Sequence, residues 1–143
     1  MSVPKSERTL YEKEYISSTI ELIKKTIWLV SETHCIDEKI KIVSDRLLET
    51  ILNVQRYILQ ADNQTMDTHI EAYSGLAKAS LQEYNNLLSI ILQHRDSTIK
   101  ITTIQDMIKL STDLVQYLEN WHYNRIHFNK FYCLHKLENE NSR

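Results

Sequence analysis

Apolar residues recur along this chain in steps of three and four, the spacing that keeps side chains on one face of an α-helix. Ile16, Ile20, Ile23, Ile27 and Val30 set the rhythm in a first segment. It predicts a helix over about residues 6–32 with all five on one face, and Pro4 and Ser6 suit its entrance. A break follows at residues 33–37, where Asp37 is placed to cap the next helix. Ile40, Val43, Leu47, Ile51, Val54 and Ile58 then predict a helix over about 37–61. Leu48, Leu52 and Leu59 widen its stripe enough to serve two neighbours. The polar run 62–68 reads as a loop. A third helix, over about 69–94, carries Ile70, Tyr73, Ala77, Ser80, Tyr84, Leu87 and Ile91. Gly75, Ala77, Ala79 and Ser80 in its first half are small enough to admit another backbone. A fourth, over about 103–136, opens on Thr103 and Asp106, a variant of the capping box. It continues through Met107, Leu110, Leu114, Tyr117 and Trp121.

Composition supports that division. One glycine and one proline in 143 residues leave long elements uninterrupted, whereas a sheet with tight hairpins needs more of both. The short connections favour antiparallel neighbours. The expected fold is therefore all-α: one domain over residues 1–143, an antiparallel up-down-up-down four-helix bundle with a helical or frayed C-terminal tail. A longer coiled coil that oligomerises is the alternative, because the heptads are so regular.

Charge narrows the function. The 17 basic and 19 acidic residues are nearly balanced, unlike the basic excess of a general nucleic-acid binder. The distribution is uneven: residues 1–120 carry 13 Lys/Arg against 17 Asp/Glu, and residues 121–143 carry 4 against 2. Two distant cysteines, Cys35 and Cys133, are too few for a disulfide scaffold. The opening residues are polar, and no apolar run is long enough to span a bilayer. A cytoplasmic setting is the expectation.

Three stretches carry the pattern of a known family. SDRLLETILNVQRYILQAD (residues 44–62) resembles its Asp-Arg-aliphatic run followed by two heptads. LAKASLQEYNNLLSIIL (76–92) resembles its small-residue start and leucine-rich end. IQDMIKLSTDLVQYLENW (104–121) resembles its closing pattern. The family is that of small four-helix-bundle proteins encoded within intervening sequences of bacterial large-subunit ribosomal RNA genes, together with the accessory variability protein of diversity-generating retroelements. The resemblance spans about residues 21–121. It implies a non-catalytic homo-oligomer, a ring of bundles with a basic surface, that binds a reverse transcriptase and its RNA. One departure stands out: where the family's third helix is rich in arginine, this chain has Glu83, Asn85 and Ser89.

On that reading Arg46, Arg56, Arg125, Lys130 and Lys136 are the candidates for phosphate contact. The tail residues 121–136 interleave cations with Trp121, Tyr123, Phe128, Phe131 and Tyr132, and these aromatics are the candidates for partner contact. Cations on phosphates with aromatics on bases are what single-stranded nucleic acid asks for; packing against the bundle or a partner subunit is the plainer use of such rings. His122, His127, His135 and Cys133 share the tail, but His122 and His127 are five apart and do not share a helix face. No metal site and no cofactor is expected. Asp45, Arg46 and Glu49 form a polar strip that reads as a solvated face with a weak ion pair. No paired cation and general acid, glycine loop or catalytic triad pattern is present, so the chain is expected not to be an enzyme. Two alternatives remain: a protein-interaction bundle with no nucleic-acid role, and a four-helical ribonuclease.

Overall fold

The computed structural model describes residues 10–33, 38–94 and 99–120, with side chains from residue 16 onward. Among them are four helices and no strand: α1 (Leu10–Thr33), α2 (Glu38–Asp62), α3 (Asp67–His94) and α4, which includes residues 101–120. The ends foreseen from periodicity lie within two residues of those observed. The entrance at residue 6, the Asp37 cap and the run to 136 lie outside the described residues. Thr103 does not precede α4 as a capping box would require. It sits inside the first turn, its N–H donating to the Lys100 carbonyl at 3.2 Å. The α2–α3 connection is shorter than the polar run implied. The Asn63 N–H closes on the Leu59 carbonyl at 3.2 Å, and the Met66 carbonyl accepts from both His69 and Ile70 at 3.0 Å. α3 therefore starts at Asp67, whose carboxylate faces the positive end of the helix dipole.

Helix α2 packs on both α1 and α3, whereas α1 and α3 make no backbone approach to each other among the described residues. With links this short, packed neighbours must run antiparallel. α4 adds Ile104, Met107, Leu114 and Leu118 to the same core and borders α1 across a shared groove. The result is an up-down-up-down four-helix bundle in which α1 and α3 stand on a diagonal. No helix among the described residues is long and apolar enough to cross a membrane.

The core face of α2 is the one its pattern foresaw: Ile40, Leu47, Ile51, Val54 and Ile58 are buried. Each such side chain contributes roughly 1.5–3 kcal/mol by leaving water. In α3 the buried line is Ile70, Ser74, Ala77, Leu81, Tyr84, Leu88 and Ile91; Tyr73, Ser80 and Leu87 sit beside it, half-buried. In α4 the line is Ile104, Met107, Ser111, Leu114 and Leu118, with Leu110 and Tyr117 on its edge.

Helix α1 departs most from expectation. Its buried line is Thr19, Leu22, Thr26, Leu29 and Thr33, and Val30 is the single member of the foreseen stripe that is buried. At 3.6 residues per turn, Ile16, Ile20, Ile23 and Ile27 lie roughly a quarter to a third of a turn away. Ile20 is 41 % and Ile27 53 % exposed. Threonine competes for this core because its hydroxyl can bond back onto its own helix, leaving a methyl to pack. Thr26 Oγ1 does so to the Leu22 carbonyl at 2.7 Å, and Thr33 Oγ1 to the Val30 carbonyl at 3.0 Å.

The small residues of α3 also divide. Ala77 is fully buried, but a Cβ built on Gly75 would meet nothing within 4 Å, and no glycine has a positive φ. Gly75 therefore admits no neighbouring backbone and weakens the helix. Gly75→Ala is expected to raise stability by about 0.5–1 kcal/mol, read as a higher urea midpoint at unchanged slope. A lower midpoint would place a neighbour against Gly75.

Candidate functional site

Two polar systems stand out, one inside the bundle and one on its surface. Inside, Tyr84 of α3 is fully buried, and its hydroxyl lies 2.7 Å from Thr26 Oγ1 on the diagonally opposite α1. A threonine hydroxyl has one proton, and that of Thr26 goes to the Leu22 carbonyl, so the tyrosine donates and the threonine accepts. Burial pushes the Tyr84 phenol well above its ordinary value. Towards the α1–α2 link the hydroxyls of Thr33 and Ser44 lie 2.8 Å apart, both buried. Among the described residues the buried Oγ of Ser74 and Ser111 and Oδ1 of Asn85 have no hydrogen-bond partner. All these groups are neutral, so the layer has no acid, base or nucleophile pair that could run a proton transfer. No group of three or more His, Cys, Asp or Glu side chains among the described residues could hold a metal ion.

On the surface, Arg46 is committed to the fold. Its Nε donates to Glu83 Oε1 at 2.9 Å, Nη2 lies 2.8 Å from the same oxygen, and Nη1 lies 3.2 Å from Glu49 Oε1. The hydrogen bond to Glu83 first, and the charges of Glu83 and Glu49 after it, raise the guanidinium pKa further. The foreseen Arg46–Glu49 pair is present. The bridge to Glu83 was not foreseen; it ties α2 to α3. Counting residues from the α2–α3 link would have put Arg46 and Glu83 at one level of the bundle. The Arg56 guanidinium lies 5.2 Å from the centroid of the Tyr57 ring, a cation–π arrangement. Arg125, Lys130, Lys136, Trp121, Tyr123, Phe128, Phe131 and Tyr132 lie outside the described residues, as do His34, Cys35 and the tail histidines.

Leu52 and Leu59, expected to widen the buried stripe of α2, instead face outward, and Ile42 and Trp28 were not singled out by the sequence reading. Trp28 of α1 borders a groove of about 410 Å3 with Lys24, Lys25, Thr103 and Asp106. A smaller groove of about 200 Å3 between α2 and α3 is lined by Lys39, Ile40, Val43, Ile90, Ile91 and His94. Ile42 is 68 %, Leu52 46 % and Leu59 44 % exposed on α2. Apolar side chains and charges therefore share these outer faces. No family model, curated protein or solved structure matches the chain.

The buried phenol makes stability depend on alkaline pH. The unfolded chain loses this proton near the ordinary value of 10.0 and the folded chain only above it. Stability from this group is therefore intact below that value and falls as pH rises past it. Between about pH 9 and pH 11 the wild type is expected to lose up to about 1.4 kcal/mol per pH unit more than Tyr84→Phe, measured by urea denaturation. Parallel pH profiles would mean that the phenol is hydrated.

Proposed function

We propose that this chain is a non-catalytic adaptor: a self-associating four-helix bundle that supports a reverse transcriptase and its RNA. The observation that carries the adaptor reading is where the chemistry lies. Among the described residues every buried polar side chain except Asp62, at the end of α2, is neutral, while large apolar side chains and charges share the outer faces of α1 and α2. The reverse-transcriptase partner rests on the family resemblance of residues 44–62, 76–92 and 104–121, with which the antiparallel bundle agrees. Because Arg46 is occupied by Glu83 and Glu49, the phosphate contacts fall to the tail cations Arg125, Lys130 and Lys136, with Trp121, Tyr123, Phe128, Phe131 and Tyr132 meeting bases or protein.

Light scattering of the pure chain, alone and then with a structured RNA, tests this reading. The expected outcome is RNA uptake that weakens steeply as salt rises and is lost when Arg125 and Lys130 are changed to Glu. A chain that ignores RNA at low salt, yet forms a stable complex with another protein, would favour a purely protein-binding bundle.

A further inference from the structure

The outward line of α2 reads Ile42, Asp45, Glu49, Leu52, Arg56 and Leu59, in alternating steps of three and four, and all six are exposed. This is a second heptad seam on the side of the helix away from the core, about 27 Å long at 1.5 Å per residue. Its order is self-complementary. Set against an antiparallel copy across a two-fold axis, Ile42 meets Leu59, Asp45 meets Arg56 and Glu49 meets Leu52, each pair occurring twice.

We propose that this face of α2 is an isologous interface, and that its occupant is a second copy of the chain. Charge fixes the arrangement. A parallel pairing would put Asp45, Glu49 and Arg56 each against its own like charge. Sliding the antiparallel copy one heptad one way opposes Asp45 to Glu49; sliding it the other way opposes Leu52 to Arg56 and Leu59 to Glu49. One register alone matches opposite charges and joins apolar ends. Arg56 suits the role, since its contact among the described residues is the Tyr57 ring and not a carboxylate. Asp45 already interacts within its own chain, and a carboxylate has two oxygens with which to accept a further cation. Arg46 holds Glu49 to one side, easing its place opposite Leu52.

The inference rests on the self-association within the adaptor reading, departs from the ring that the family resemblance implies because a two-fold interface pairs two copies, and is independent of RNA. Its test is sedimentation velocity of the full chain without RNA, over a range of concentrations, with Asp45→Arg, Arg56→Asp and the double reversal. All three changes are at exposed positions, and circular dichroism would confirm that each variant keeps its helices. Each single reversal is expected to weaken association about tenfold or more, and the double reversal to restore it. A self-associating wild type indifferent to the single reversals, or a double reversal that fails to recover, would overturn this interface while leaving the adaptor reading in place. A wild type that stays monomeric at every concentration would overturn the interface and self-association together; RNA uptake would then be judged separately.

Discussion

One hydrogen bond inside the core sets the orientation of the first helix: the donation from the Tyr84 hydroxyl to Thr26 Oγ1. Among the described residues Tyr84 is the largest fully buried side chain. It spans the bundle diagonally, between two helices whose backbones do not approach. A buried phenol without a partner costs about 1–3 kcal/mol, so α1 must offer an oxygen at the level where the ring arrives. Thr26 offers one, and an isoleucine there could not. Leu22, Leu29 and the other threonines of that line follow it into the core, because they share its side of the helix.

The same constraint explains which parts of the fold were legible in the sequence. The helices, their ends and the core face of α2 could be read because Ile40, Leu47, Ile51, Val54 and Ile58 obey hydrophobic period alone. The face of α1 could not. Its most regular apolar line, Ile16 to Ile27, lies on the flank, and its core line is interrupted by threonines that a polarity count places in solvent. Hydropathy treats a threonine hydroxyl as exposed; it does not register that the hydroxyl is satisfied by the carbonyl four residues back. The shift in α3 from Tyr73, Ser80 and Leu87 to Ser74, Leu81 and Leu88 has a related cause. Both lines are apolar enough to be core, and only the neighbours decide between them.

The charged surface was legible in part. Arg46 and Arg56 were singled out as cations, but the partners that define their roles, Glu83 on another helix and the Tyr57 ring, are matters of register and side-chain direction. Once Ile20 and Ile27 of α1 are displaced from the core, their exposure becomes a property of the surface. They join Ile42, Leu52 and Leu59 of α2 as apolar area that the bundle does not itself bury. The core line of α1 and the exposure of Ile20 and Ile27 are thus two consequences of a single choice of helix orientation.

That choice is tested most directly by a double-mutant cycle on Thr26 and Tyr84, with stability measured by urea denaturation of the wild type, Thr26→Val, Tyr84→Phe and the double variant. If the two hydroxyls are partners, Thr26→Val leaves a buried phenol unpaired, and the double variant removes that penalty. Its stability should then equal or exceed that of Thr26→Val, with a coupling of about 1 kcal/mol or more. Losses that simply add would show that Tyr84 and Thr26 do not meet, and that α1 presents another face to the core.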